Sequence, residues 1–293
     1  MTRFSHFLIL ISLISSNLHI AAQNQISKQI MQIGRTDNRT MKHLDVLTNR
    51  IGARPIGSDA YENATYWVAG LLKSWGLEVE IQPVATLKVG FNRGPWFGRM
   101  LSDDSMTLDF VTPSYTSGTK GLQRGHVLIE PKTKEEFERM KGKLKGAWVL
   151  IDGSSKGVPI DYSAKADSMR DSLIIFNAQQ KSDSSRKLVP ALFYREMVNA
   201  GILGIIQSAP VPLVALTDYN NYQKMDFDNL PATPDIKLNE TQYKKIREKV
   251  ERREYVQLEF DIRNYFKPGP VTYHNVIGKI KGTKYPGEYV MSG

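Results

Sequence analysis

The sequence predicts an α/β chain in which one domain is interrupted by another. Three observations predict it. A wide apolar stripe at helical spacing fills residues 59–75. Short alternating or apolar runs, bounded by Gly, Pro, Ser and Asp, recur between residues 94 and 269. Strand patterns then return after Pro268-Gly269-Pro270, which reads as a hard break. Residues 23–93 and 270–293 are therefore expected to share long helices and core strands, with 94–269 as a β-rich insert.

The chain opens with Arg3, the apolar run 4–14 and the small pair Ala21-Ala22 before Gln23, which together form a targeting segment over residues 1–22. The run is too short to cross a bilayer, which takes roughly 20 apolar residues. Export to a periplasmic or secreted location is expected. Residues 26–51 read as helix broken near Gly34, with Met41, Leu44, Leu47 and Ile51 on one face and Gly52 closing it. After the turn 53–57, Asp59 and Glu62 are spaced as a capping box. Ala60, Ala64, Trp67, Val68, Leu71, Leu72 and Trp75 make the stripe behind it, and Gly76 can end the helix in the left-handed conformation. Residues 77–84 alternate as a half-buried strand.

Within the insert, strands are expected at 108–111, 126–130, 147–151, 173–176 and 204–207, with helices at 134–140 and 193–200. A helix over 240–253, with Tyr243, Ile246 and Val250 inward, precedes a long alternating strand from Val256 to Ile262. Beyond the break come strands at 275–280 and 288–291, the latter a short apolar run of the kind buried inside an α/β sheet.

Composition narrows the function. The chain has 39 basic and 30 acidic residues, net +9. Its densest basic run, 244–253, interleaves Glu248 and Glu251, and Glu248 stands four residues before Arg252. That is a solvated helix face rather than a phosphate-tracking stripe, so no nucleic acid partner is expected. There is no cysteine, which excludes disulfides, thiolate metal sites and a Cys nucleophile.

The segment 47–58 (LTNRIGARPIGS) resembles the opening of the di-zinc exopeptidases related to carboxypeptidase Q and the bacterial leucine aminopeptidases. The helix end and strand start at 72–77 (LKSWGL) are similar to the same family. So are 274–282 (HNVIGKIKG) and 288–293 (EYVMSG), which look like its asparagine-initiated core strand and the strand leading to the first metal ligands. Residues 145–152 (KGAWVLID) and 200–206 (AGILGII) are similar to a protease-associated insert domain. The resemblance implies an incomplete three-layer α/β zinc-exopeptidase domain, interrupted by that insert. It implies peptide hydrolysis from an amino or carboxyl terminus, two zinc ions and a peptide substrate in the complete family member. A homodimer stays open.

A di-zinc peptidase needs two His, three carboxylates and a Glu that takes a proton from the attacking water. In the family the first His and the bridging Asp come after the strand that here reaches Gly293, so the chain is expected to stop before them and to be inactive. No catalytic, cofactor-binding or metal-ligating residue is assigned within it. His43-Leu44-Asp45 spells His-x-Asp, but on a helix the two side chains point roughly 200° apart. His126 opens a strand with no carboxylate close behind, and His274 precedes a strand. Gly153-Ser154-Ser155 lacks the second glycine of a nucleophile elbow, and Gly201-Ile202-Leu203-Gly204 is too sparse to cradle phosphate. Asn38, Asn63 and Asn239 begin glycosylation triplets. The competing reading is an exported, non-enzymatic module that binds a peptide or protein.

Overall fold

The computed structural model describes residues 25–102, 105–155, 157, 159–160, 172, 191–210, 222–285 and 287–291. The expected targeting segment 1–22 and the expected strand 173–176 lie outside the described residues. No helix among the described residues is long and apolar enough to cross a membrane. The chain forms two compact units, Met1–Gly52 and Ala53–Gly293.

In the first unit, helix α1 occupies 25–36, and α2 (Thr40–Asp45) runs into a π-helical turn, Val46–Ile51. The expected break at Gly34 is displaced. The helix continues past Gly34, and the interruption falls at 37–39. Side chains there compete with the helical ladder: Asp37 accepts from Arg39 (3.1 and 2.9 Å), and Asn38 Oδ1 accepts the Thr40 amide (2.9 Å).

The second unit opens with α3 (Asp59–Ser74). The capping box expected from Asp59 and Glu62 is replaced by a cap one residue earlier. Ser58 is extended, and its Oγ accepts the Tyr61 amide at 3.0 Å. Asp59 is thereby released for long-range work, accepting from Asn92 Nδ2 (2.7 Å) and from the Lys267 ammonium. Gly76 does end the helix, at φ +83°, a conformation that a Cβ would strain.

Two strands of 23 residues dominate the second unit, β1 (Glu78–Met100) and β7 (Gln257–Lys279). They pair antiparallel from Glu78↔Lys279 to Met100↔Leu258. The strand expected at 77–84 is only the start of β1. The break expected at Pro268-Gly269-Pro270 is absent, because all three residues lie inside β7. A register shift between Leu87 and Val89 places them opposite an irregular stretch of β1, where a missing proline N–H breaks no regular ladder. The strand expected at 275–280 is the end of β7, and 288–291 is not a strand: Val290 is 101% exposed and Met291 93%. That apolar run has no neighbour to bury it among the described residues.

Between the ribbon strands the chain builds β2 (Phe110–Val111), β3 (Gln123–Ile129), β4 (Ala147–Ser154), β5 (Gly204–Ala209) and β6 (Asp235–Asn239). The seven strands form one mixed sheet in the order β1-β7-β3-β4-β5-β6-β2, with β3 to β6 parallel. Helices α4 (Lys134–Leu144) and α5 (Tyr194–Asn199) cover one face, and α6 (Glu240–Glu251) the other. Strand alternation sorts the core. Trp148 and Leu150 join Tyr243 and Ile246 of α6, while Val149 and Ile151 join Phe137, Leu144 and Met197. A strand covered on both faces needs an unbroken apolar run, and Ala147–Ile151 supplies one. Gly204 is required for a different reason: a Cβ there would stand 2.7 Å from the Trp148 ring and 2.9 Å from the Pro234 carbonyl.

Candidate functional site

None of the three histidines described is placed to share a metal. His43 sits in α2, and Asp45 accepts from Asn49 Nδ2 (2.8 Å) and Arg50 Nε (3.0 Å). These two donors, Asn49 first, hold the Asp45 carboxyl below its ordinary range. His126 lies in β3, with Nε2 2.8 Å from the Lys143 carbonyl at the end of α4. A carbonyl only accepts, so Nε2 carries the proton in this contact. His274 is inside β7 opposite Pro83. Pro83 has no N–H to offer, and Tyr61 Oη donates to the His274 carbonyl instead, at 2.8 Å.

The serine and glycine motifs have structural work. Ser155 is buried, and its Oγ accepts the Gly157 amide at 3.0 Å, closing a turn. Gly201, at φ +87°, joins α5 to β5. Asn239 caps α6, its Oδ1 accepting the Thr241 amide at 3.0 Å.

The most organised polar cluster stands at the carboxyl ends of β3 and β4. The same pattern recurs there, Val-Leu-Ile-Glu130 running out of β3 and Val-Leu-Ile-Asp152 near the end of β4. The Glu130 side chain is 0% exposed and accepts from Lys132 Nζ (2.5 Å), the Asp152 amide (2.8 Å) and the Ala191 amide (2.7 Å). Asp152 accepts from Lys132 Nζ (2.9 Å) and from the Arg247 guanidinium of α6. Arg247 also bonds Glu251 at 2.8 Å, and Tyr243 Oη donates to the Ile151 carbonyl at 2.7 Å.

The two carboxyls are pushed in opposite directions. Burial raises Glu130, and Lys132 offsets this only in part. Burial also works against the Asp152 charge, but Lys132 and Arg247 outweigh it and hold Asp152 below the ordinary range. Burial lifts the Tyr243 phenol to about 12. Chemically, the cluster is an ammonium clamped between two carboxylates. A zinc ion does not fit there, because the Lys132 Nζ occupies the point where both carboxylates converge. No group of three or more His, Asp or Glu among the described residues could hold a metal.

A second charged group, of three side chains, ties β7 to β1 and β3. Glu259 of β7, 1% exposed, accepts from Arg99 Nε (2.8 Å) and from Arg124. Burial opposes its charge, and the two guanidinium groups overcome this, leaving Glu259 below the usual carboxylate range.

At the other end of the ribbon, α3 packs across β1 and β7. Gly278 has no side chain, and the space is taken by Leu77 and Leu72. Tyr115 reaches back from the loop after β2 and donates to the Ile56 carbonyl at 2.5 Å, with its ring stacked on Phe91 (5.1 Å).

No protein-family model matches this chain, and no curated protein sequence matches it. Several solved structures show some likeness. A peptidase M28 precursor from Shewanella amazonensis SB2B is 18% identical, with a TM-score of 0.48, over 88% of this chain and 54% of that one. An aminopeptidase from Aneurinibacillus sp. strain AM-1 is 13% identical (TM-score 0.40), over 83% of this chain and 48% of that one. The zinc aminopeptidase BSAP from Bacillus subtilis is also 13% identical (TM-score 0.42), over 84% and 48%. The chain thus spans about half the length of each.

Proposed function

We propose that this chain is part of a zinc-dependent exopeptidase, a hydrolase of peptide bonds, of the kind related to carboxypeptidase Q and the bacterial leucine aminopeptidases. The observation that carries the reading is the meeting of the two ends of the resembling sequence. Residues 72–77 lie far from 274–278 along the chain, yet the two segments pack together. Tyr61 bonds the His274 carbonyl across 213 positions, and Leu72 and Leu77 fill the space over Gly278. A family motif split by a long insertion is expected to close up in this way.

In this reading, residues 23–93 and 270–293 belong to the peptidase part. Residues 94–269 are a protease-associated-like insert carried on the distal halves of β1 and β7. The Tyr115 contact to Ile56 supports a fixed position of the insert beside the turn 53–58. The described residues do not fit zinc, so the two ions and the proton-accepting Glu would be supplied from outside them. Export through residues 1–22 would place the enzyme in the periplasm or the medium, where it meets peptides.

The coding sequence beyond the Gly293 codon tests the reading. An in-frame His-x-Asp within a few codons supports it. A frame that continues without metal ligands contradicts it and favours a non-enzymatic exported module.

A further inference from the structure

The carboxyl ends of β3 and β4 open into a cleft of about 480 Å³ that does not depend on the peptidase reading. We propose that this cleft is a binding site for a small anion bearing a carboxylate or phosphate group. Its position follows from the fold. Helix α4 leaves β3 on one face of the sheet and α6 covers the other, so the strand ends lie in a crevice between them. That is where open α/β sheets gather ligands, and the volume is that of a small-molecule site.

The charges are layered. The carboxylates form the floor: Glu130 is 0% exposed and Asp152 16%. The cations they hold stand above them, Lys132 at 29% and Arg247 at 30% exposed. On the rim, Arg139 and Lys143 occupy successive turns of α4, both exposed and both lining the cleft. Neither is hydrogen-bonded to, or ion-paired with, a carboxylate among the described residues; Glu135, one turn before Arg139, touches it only through its field. Glu136 also lines the cleft, but one of its oxygens accepts the Lys132 amide at 2.7 Å. An entering molecule therefore meets cations first. Lys132 and Arg247 are oriented beforehand by the acids below them, which lowers the cost of fixing two long side chains on an incoming anion. Met140, Ile129 and Pro131 give the same cleft an apolar wall for the body of the ligand.

Calorimetric titration of the full chain at low salt with inorganic phosphate and, separately, with succinate tests this. Saturable binding of at least one is expected. It should weaken by about tenfold or more in the double variant Arg139→Gln/Lys143→Gln, and with added salt. Both residues are exposed, so the variant should melt as the parent does. Lys141→Gln, on the same helix but outside the cleft, should bind as the parent does. Phosphate alone binding would point to a phosphorylated ligand, succinate binding to a carboxylate ligand. No saturable binding of either, or binding that the double variant leaves unchanged, would overturn the proposal.

Discussion

At the scale of the residue, three carboxyls packed against the sheet, Glu130, Asp152 and Glu259, shape the acid response. Asp152 and Glu259 have lowered values in the folded chain, so their contribution is present above the unfolded range and lost as pH falls through the folded values. Glu130 is raised, so its contribution runs the other way, lost as pH rises through its folded value. Urea unfolding between pH 3 and 8 should show stability holding or rising slightly as Glu130 takes a proton, then falling below about pH 4. Glu130→Gln should remove the first feature, and Asp152→Asn should cost about 1–2 kcal/mol at pH 7, screened because Lys132 and Arg247 are partly exposed. Tyr61→Phe leaves the His274 carbonyl without its donor and should cost about 1 kcal/mol in the same assay. Little of this was legible in the sequence. The spacing of Asp59 and Glu62 suggested a capping box, but Ser58 caps equally well, and only the approach of Asn92 and Lys267 decides which residue is spent on the helix. The paired endings Val-Leu-Ile-Glu130 and Val-Leu-Ile-Asp152 were the available signal for the charged cleft.

At the scale of the element, local pattern located nearly every helix and inner strand. Lys134–Leu144, Ala147–Ser154 and Glu240–Glu251 fall where apolar spacing places them, and the structure adds the caps Thr133 and Asn239. Two failures have one cause, that pairing partners are not written locally. Proline usually stops a strand, yet β7 passes through Pro268 and Pro270 because a register shift in β1 accommodates them. β6 carries no apolar run because its residues Asp235 and Lys237 are charged; they pair with each other at 2.7 Å while Ile236 and Leu238 fill the opposite face. Gly204→Ala should cost about 1–3 kcal/mol by thermal melting, since Trp148 and the Pro234 backbone leave no room for a methyl group. Gly76→Ala, at φ +83° but in open space, should cost about 1 kcal/mol from backbone strain alone.

At the scale of the whole molecule, one ribbon of two long strands links a helix-covered end, α3, to a sheet sandwiched between helices. The ordered core of that sheet lies between Met100 and Ile262, so brief proteolysis should trim 281–291, where Tyr289, Val290 and Met291 are fully accessible, before it cuts β4 or β7. The sequence resemblance spans segments far apart along the chain, and the α3 contacts with β1 and β7 bring 72–77 against 274–278. The proposal is that this chain is part of a zinc peptidase whose metal the described residues do not hold. Zinc content after dialysis, measured on purified chain alongside release of amino acids from short peptides, tests it most directly. Negligible zinc and no release are predicted; one or two tightly held zinc ions per chain, with hydrolysis, would contradict it.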